Sequence, residues 1–390
     1  MGCISNFKFP FENNTLDFDD AFVRKEWFTE GGLWLWGSNG FGSSGTNSTV
    51  NQSSPAQTVS GGTNWRQTSG GTFHIAGIKT DGTLWLWGRA LEGGLGNNST
   101  INRSSPVQTI SAGTNWKQIE LASDGTTGAI KTDGTLWMWG FNDSGQLGNN
   151  SYLSRSSPIQ TVSATTNWKQ ISLNDQLSTA VKTDGTLWTW GFNYAGQLGN
   201  NSTIDRSSPV QTVSATTDWK TVSAGKSHVA AIKTNGTLWL WGQNFGGKIG
   251  NNSTIDQSSP VQTVSGGTNW KQISLLSQSS TAIKTDGTLW TWGYGSQGSL
   301  GNNSTVDVSS PVQTVAGGTS WKCSTSGVVS TAATKNDGTL WLWGSNDSGQ
   351  LGNNSTINQS SPIQTVVGGT NWVNVSVNDF IVSGIRESCW

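Results

Sequence analysis

The chain has 390 residues, a formal net charge of −1 and only 12% charged residues. Its few lysines and arginines form no basic run, which argues against nucleic-acid binding, and no apolar run is long enough to span a membrane. Glycine (51 residues) and tryptophan (23 residues) both exceed ordinary usage. Such a bias directs attention to internal repeats before anything else.

Residues 1–30 differ in composition from the rest of the chain. Six of the twelve phenylalanines lie there, and the stretch Phe-Lys-Phe-Pro-Phe alternates as an extended segment with one apolar face would. A leader this short cannot form a core of its own. We therefore predict an arm that docks on another protein, with packing on the rest of this chain as the alternative; its predicted partner-binding residues are Phe7, Phe9, Phe11, Phe18, Phe22 and Trp27.

Residues 31–390 repeat one phrase, written KTDGTLWLWG at Lys79–Gly88. The second tryptophan of the phrase recurs at steps of 51 or 52 residues, at Trp36, Trp87, Trp139, Trp190, Trp241, Trp292 and Trp343. A further tryptophan completes each copy, at Trp65, Trp116, Trp168, Trp219, Trp270, Trp321 and Trp372. So regular a period predicts a solenoid or a propeller that folds as one domain.

Each copy contains four short strand-like runs. Asp81-Gly82 lies between two of them, and Asp-Gly in that setting is the strongest short signal for a β-hairpin. Four-stranded units with this period are typical of propeller blades. The predicted fold is all-β, a seven-bladed β-propeller of four-stranded blades.

The two ends of the repeated region each carry part of a copy. The N-terminal part supplies only the Leu-Trp-Leu-Trp strand at 33–36, and the C-terminal part, 380–386, stops before that strand. We predict that these segments pair, so that the last blade is built from both ends and leaves no free sheet edge there.

The paired tryptophans of the phrase lie on one face of a strand, because residues two apart share a face. In the second copy these are Trp85 and Trp87, with leucines on the opposite face. A strand that is apolar on both faces is expected to be buried on both. The alternative is a row of exposed aromatic rings that stack on sugars or bases.

The phrase DGTLWLWG, followed by NDSGQLGNNST in two copies (142–152 with one change, and 346–356), resembles the regulator of chromosome condensation repeat family. The resemblance covers 31–386 and implies a seven-bladed propeller closed by both termini. His74 and His228 stand where that family often has histidine. The other copies have no histidine at this position, so no histidine cluster is expected, and we predict a structural role for both residues. The near-identity of the copies, together with the leader 16–37, also resembles propeller proteins of tailed-phage virions.

Groups suited to catalysis are sparse. The chain has two histidines, three widely spaced cysteines and no phosphate-binding loop. The aspartates that recur in the copies (Asp81, Asp133, Asp184, Asp286 and Asp337) are predicted turn residues. We expect no enzyme activity, no cofactor and no metal.

Two regions vary between otherwise copied units. One is the loop after Trp-Gly, for example 89–94, 192–197, 243–248 and 294–299. The other precedes the hairpin, at 121–127, 173–178, 224–229 and 275–280. Propellers bind through their loop faces, so these loops are candidates for contacts; drift in solvated loops is the alternative.

The predicted function is a non-enzymatic structural or binding protein of a phage virion (tail, neck, fibre or capsid decoration). The arm 1–30 would attach it to other virion proteins, and the variable loops would serve assembly or attachment to a host protein or glycan. The alternatives are a protein-binding regulator or inhibitor, cytoplasmic or extracellular, and a glycan-binding adhesin. Neither nucleic acid nor membrane insertion is expected.

Overall fold

The structure, a computed structural model, describes residues 31–60, 62, 64–111, 113–275, 277–326, 330–366, 368–377 and 381–387. Within these ranges the chain forms β-strands and three short 3-10 helices, Leu91–Gly93, Phe245–Gly247 and Ser296–Gly298. The all-β prediction and the four-stranded antiparallel sheets are confirmed. The arm 1–30 lies outside the described residues.

Four strands recur in each copy, and 28 are present in the described chain. The first strands are β3 (Trp65–Gly70), β7 (Trp116–Leu121), β11 (Trp168–Asn174), β15 (Trp219–Ala224), β19 (Trp270–Leu275), β23 (Trp321–Ser326) and β27 (Trp372–Val377). The second strands are β4 (His74–Lys79), β8 (Thr127–Lys131), β12 (Leu177–Lys182), β16 (His228–Lys233), β20 (Ser279–Lys284), β24 (Ser330–Lys335) and β28 (Ile381–Glu387).

The third strands contain the tryptophan phrase, and the fourth contain Ser-Ser-Pro. The third strands are β1 (Gly31–Gly37), β5 (Leu84–Gly88), β9 (Leu136–Gly140), β13 (Leu187–Gly191), β17 (Leu238–Gly242), β21 (Leu289–Gly293) and β25 (Leu340–Gly344). The fourth strands are β2 (Gln52–Gln57), β6 (Arg103–Gln108), β10 (Arg155–Gln160), β14 (Arg206–Gln211), β18 (Gln257–Gln262), β22 (Val308–Gln313) and β26 (Gln359–Gln364).

The strands are arranged in five four-stranded sheets and one eight-stranded sheet. Each four-stranded sheet is a simple antiparallel meander, such as β11-β12-β13-β14. The eight-stranded sheet contains β27, β28, β1 and β2 on one side and β3 to β6 on the other, and the pair Gly31–Trp65 is the link between them.

The two ends of the described chain pair with each other. β1 runs antiparallel to β28 over its whole length, from Gly31 opposite Glu387 to Gly37 opposite Ile381. On its other edge β1 pairs with β2. The N-terminal strand therefore occupies the third position in a sheet whose first two strands come from the C-terminal end.

The hydrophobic core lies between neighbouring sheets. One cluster, for example, joins Leu177, Val181 and Leu187 of one sheet to Trp219 and Trp241 of the next. The second tryptophan of every phrase is buried, whereas the first is only half-buried. The prediction that the strand is buried on both faces therefore holds for the second tryptophan and only in part for the first.

The second tryptophan also ties its sheet to the preceding copy. In all seven copies its indole N–H donates to a main-chain carbonyl of the preceding long loop, over 2.8–3.0 Å. One of these bonds runs from Trp36 Nε1, near the N-terminal end of the described chain, to Gln350 O, 314 residues away. Each indole also packs against the tryptophan that begins the first strand of its own sheet, with ring centroids 5.9–6.4 Å apart.

A glycine makes room for each of these indoles. At Gly199 φ is +62°, and a β-carbon there would lie 2.5 Å from Nε1 of Trp241. The other six copies have a glycine in the same place, with a β-carbon position 2.6–2.8 Å from the indole nitrogen. Both the positive φ and the short approach require glycine.

Replacing Gly199 should cost more than its backbone conformation explains. Gly317 has a similar φ of +49° with no atom within 4 Å of its β-carbon position. We expect Gly317→Ala to lower the free energy of unfolding by about 1 kcal/mol through backbone strain. Gly199→Ala should lower it by roughly 2 kcal/mol more through the clash with Trp241. Chemical denaturation of both variants measures the difference, and equal losses would contradict the contact.

The chain-closing contact should be as strong as an internal one. Trp36 and Trp190 donate to the carbonyls of Gln350 and Gln146, which end the matching segments Asn-Asp-Ser-Gly-Gln. Replacing either indole by Phe leaves a buried carbonyl unpaired and removes packing, so each variant should lose about 2–3 kcal/mol in urea unfolding. A much smaller loss for Trp36→Phe would show that the ends do not meet in solution.

Candidate functional site

The two variable regions lie at the same end of the sheets. In an antiparallel meander, the first-to-second and third-to-fourth connections leave from the same end. Hydrogen bonds join them across neighbouring copies: Ser178 Oγ donates to Gln146 O over 2.8 Å and Ser280 Oγ to Lys248 O over 2.9 Å. We call this end, formed by the turns after the first strands and the long loops after the third strands, the variable face.

A buried asparagine holds each long loop in five of the copies. Asn193 Nδ2 donates to the carbonyls of Ser202 and Ile204 over 2.9 and 3.0 Å, and its Oδ1 accepts from Leu198 N over 2.9 Å. Asn39, Asn142, Asn244 and Asn346 also bond their own loops in this way. The loop backbone is therefore held in place in these five copies, while the side chains that it carries differ.

Aromatic side chains project from these loops. Tyr194 is 74% exposed and stacks on Phe192, with ring centroids 6.4 Å apart and 15° between planes. Phe245 is 59% exposed and lies 6.2 Å from the ring of Tyr294 in the next copy. These large apolar side chains are held in water by rigid loops rather than packed in a core.

The half-buried tryptophans of the phrase are covered in a different way. In six copies a lysine lies two residues before the Asp-Gly or Asn-Gly turn. It covers both the first tryptophan of the phrase and the tryptophan that begins the first strand, with Nζ 4.3–5.2 Å from each ring centroid. Trp85 Nε1 also donates to Thr83 Oγ1 over 2.9 Å. Because the ring face and the N–H already have partners, the structure offers no support for a row of free stacking platforms.

The recurring aspartates are turn residues, as predicted. Asp81 Oδ1 accepts from Thr83 N over 2.9 Å and from Thr83 Oγ1 over 2.7 Å, and these bonds lower the pKa of Asp81. Asn235 accepts the same two bonds from Thr237. The side-chain amide oxygen of Asn235 thus replaces the carboxylate oxygen as acceptor, so the turn does not need the negative charge.

Both histidines are buried at the variable face. Burial, helped by the charge of Arg89, lowers the pKa of His74 to about 4, and burial lowers that of His228 as well. His228 Nε2 lies 3.4 Å from Ser280 Oγ. Neutral, buried imidazoles fit the structural role expected for them.

The first strands surround a cavity of about 120 Å³. Six copies place a serine or threonine at its wall: Ser69, Ser172, Ser223, Ser274, Thr325 and Ser376. Several of these hydroxyls accept a main-chain N–H of the neighbouring copy, as Ser69 Oγ does from Leu121 N over 3.0 Å. The wall is therefore a belt of hydroxyl groups that joins successive first strands.

Glu120 occupies the corresponding position in the remaining copy. Burial raises the pKa of Glu120 to about 7, although hydrogen bonds from Gln118 and Ser69 act in the opposite direction. Glu120 was not among the site residues predicted from the sequence. Aligning the first strands of all copies would have found it, because Glu120 is the one carboxylate among six hydroxyl-bearing residues.

Among the described residues, no three His, Cys, Asp or Glu side chains are grouped closely enough to hold a metal ion. The Cys323 sulfur accepts a hydrogen bond from Gln272 Nε2 over 3.4 Å. In the same part of the chain, no helix has the length and apolar character that a membrane crossing requires. The predicted arm residues Phe7, Phe9, Phe11, Phe18, Phe22 and Trp27 lie outside the described ranges.

The pattern of strands and loops agrees with a known family. The family model of the RCC1-like domain matches residues 122–385. The chain belongs to the RCC1-like family. It is 30% identical over 303 residues to the ultraviolet-B receptor UVR8 of Arabidopsis thaliana. The aligned region covers 76% of this chain and 68% of UVR8.

Other proteins resemble the chain at lower identity. The chain is 27% identical over 315 residues to the human E3 ubiquitin-protein ligase HERC2, but it spans only 6% of that protein's length. Solved structures of Prp20p from Saccharomyces cerevisiae (TM-score 0.82, 16% identity, 93% of this chain and 92% of that one) and of human WBSCR16 (TM-score 0.81, 18% identity, 92% and 100%) have the same fold. At such identities the structural likeness shows the fold alone.

Replacing Glu120 by Ser should change how stability depends on pH. The unfolded chain loses the Glu120 proton near pH 4.5, whereas the folded chain holds it to about pH 7. This group therefore lowers stability as pH rises between those values. Because the side chain is partly exposed in the cavity, we expect Glu120→Ser to gain about 1–2 kcal/mol relative to the unmodified chain on going from pH 4.5 to 7.5.

Urea unfolding of both proteins at pH 4.5 and 7.5 measures this gain. Burial also raises the pKa of Asp124 to about 7. Asp124 contributes equally to the pH dependence of both proteins, so its contribution cancels in the difference. A stability difference that does not change with pH would contradict a buried, protonated Glu120.

Proposed function

We propose that this protein is a non-enzymatic binding propeller that holds a protein partner on its variable face. The observation that carries the proposal is the exposure of Tyr194 and Phe245 on loops whose backbone is fixed. Aromatic side chains are enriched at the energetic centres of protein interfaces. A loop that is already ordered loses little conformational entropy when it binds.

Relatives support protein binding in general. Prp20p is described as binding Gsp1p and histones, and a further solved structure holds Kap60 bound to yeast RCC1 (Prp20). UVR8 is a receptor, and HERC2 is a ligase in which the matching region is a small part. These relatives favour a binding or regulatory role for the present chain, without naming its partner.

We further propose that the propeller has seven blades. The eight-stranded sheet is then two blades, β27-β28-β1-β2 and β3-β4-β5-β6, whose strands are joined by one ladder pair, Gly31–Trp65, and which otherwise meet through side chains, as in the bond from Thr68 Oγ1 to Ser383 Oγ. In support, the first strands of all seven copies line one cavity. Seven equivalent indole–carbonyl bonds between successive copies, including that from Trp36 to Gln350, also favour this count.

A place in a phage virion, with the arm 1–30 attached to other virion proteins and the loops directed to a host protein or glycan, stays a prediction. Deleting residues 1–30 should abolish incorporation into particles if the arm is the anchor. Normal stoichiometry of the truncated protein in purified particles would count against it, and silence on a glycan array would count against the adhesin alternative.

Exchange of the variable loops tests the binding proposal. The segment Ser345–Gln350 (SNDSGQ) is a native loop of the same length, and its Asn346 keeps the loop-holding hydrogen bonds. We would replace 192–197 and 243–248 with it and change Tyr294 to Ser alone, because a β-carbon at Gly295 would lie 2.3 Å from Val306 O. These changes remove the four exposed or half-exposed aromatic rings of the three loops. Partners cross-linked to the unmodified protein should be lost, while the thermal midpoint changes little.

The matched control places the same segment at 141–146, where only Phe141 changes. Cross-linking followed by mass spectrometry should map partner contacts to 192–197, 243–248 or 294–299 in the unmodified and control proteins. The binding proposal fails if the triple exchange retains the same cross-linked partners.

A further inference from the structure

A groove crosses the variable face between the fifth and sixth copies. It has a volume of about 620 Å³ and is lined by Gln243, Phe245, Gly246, Thr254, Asp256, Asp307 and Ser309. The rings of Phe245 and Tyr294, one from each copy, lie 6.2 Å apart beside it. The groove thus combines aromatic surface with two carboxylates.

Only three of the seven copies have a carboxylate at the loop position of Asp256 and Asp307. The corresponding loop position is Asp205, Asp256 and Asp307 in three consecutive copies, and it is Asn51, Asn102, Ser154 and Asn358 in the others. Asp256 Oδ1 accepts from Asn244 N over 2.8 Å, and Asp307 Oδ1 accepts from Gly295 N over 3.0 Å. Asn358 Oδ1 accepts the same bond from Asn346 N over 2.7 Å, so the fold does not need the charge.

The second oxygen of Asp307 faces the groove. A β-carbon built on Gly246 would lie 3.4 Å from Asp307 Oδ2, at ordinary contact distance. Glu92 and Gln297 occupy the position of Gly246 in two other copies with the same left-handed backbone, at φ 49° and 55°. A side chain is therefore allowed at this position, and glycine here leaves the floor of the groove open.

The nearby cation is already engaged. Lys248 is buried, and its ammonium donates to Gln243 Oε1 over 2.9 Å and to Ser277 O over 3.4 Å. Its charge attracts Asp256. The groove therefore presents two carboxylates and the ring of Phe245, with the ring of Tyr294 beside it and one internal cation held to one side.

We infer that this groove binds a cationic side chain, arginine or lysine, of the protein partner. Carboxylates attract the charge, and ring faces attract cations through their quadrupoles. A planar guanidinium can do both at once, by stacking on a ring while it donates to a carboxylate. This inference rests on the proposed function, and it assigns the partner a basic segment that enters between the two copies.

A charge-only substitution tests the inference. Asp256→Asn with Asp307→Asn keeps the Oδ1 acceptors that hold the loops, as the native asparagines do, and removes both charges. The probe is a fluorescein-labelled peptide, Gly-Ser-Arg-Gly-Arg-Ser-Gly, with a citrulline version as its uncharged counterpart. In polarisation titrations at low ionic strength, we expect the double variant to bind the arginine peptide about tenfold more weakly, at roughly threefold for each exposed ion pair.

Two further variants make the result specific. Gly246→Gln, which copies the native Gln297, should fill the groove and abolish binding with an unchanged thermal midpoint. The control Asp143→Asn with Asp347→Asn removes two exposed charges from other loops of the same face and should leave binding unchanged. Saturable binding of the citrulline peptide with equal affinity, equal weakening by the control pair, or no binding of the arginine peptide would overturn the inference.

The outcome is separable from that of the proposed function. If cross-linked partners are lost on loop exchange but retained by the double variant and by Gly246→Gln, the variable face binds protein and the cationic groove is wrong. If loop exchange retains every partner, the proposed function itself fails.

Discussion

The bond between a buried indole and a main-chain carbonyl of the preceding copy is the constraint on which the rest of the structure depends. It closes the gap between neighbouring sheets, and the glycine facing the indole allows the loop backbone to come near enough for the bond to form. An unpaired carbonyl or indole N–H in this core would be costly. Repetition of the bond, with Trp36 serving the last loop, holds the two ends of the described chain in one sheet.

This constraint divides the molecule into a frame that is repeated in every copy and a face whose side chains differ between copies. The Asp-Gly hairpins and the lysine-covered tryptophans are copied because each side chain there has a defined partner within its own sheet. On the variable face, the backbone is held by buried asparagines such as Asn244. Side chains on a frame of that kind can change without a large cost in stability, which is how one fold can present different surfaces.

Part of the candidate site was visible in the sequence, and part was not. The loops that differ between copies could be located by comparing the copies, and Tyr194 and Phe245 lie in them. Their exposure, the meeting of Phe245 with Tyr294 and the open groove beside Asp307 depend on contacts between copies that no single stretch of sequence reports. Glu120 was missed for the same reason, because its significance comes from the hydroxyl groups that the other first strands bring around one cavity.

The sequence by itself determined the all-β class, the four strands of each copy, the Asp-Gly hairpins and the likeness to an RCC1-type propeller. It could do so because alternation of side chains and turn chemistry are local properties, and a period of 51 or 52 residues multiplies the signal. Only the tertiary structure decided that the first tryptophan of each phrase is half-buried, in six copies under a lysine, that both variable regions share one face, and that a carboxylate stands in the hydroxyl belt of the cavity. The lysine–tryptophan contacts cross neighbouring strands of one sheet, whereas the loop contacts and the hydroxyl belt join different copies, as in Ser178–Gln146 and Leu121–Ser69, which are 32 and 52 positions apart. The sequence records neither kind of contact, because both depend on how strands pair and how sheets pack.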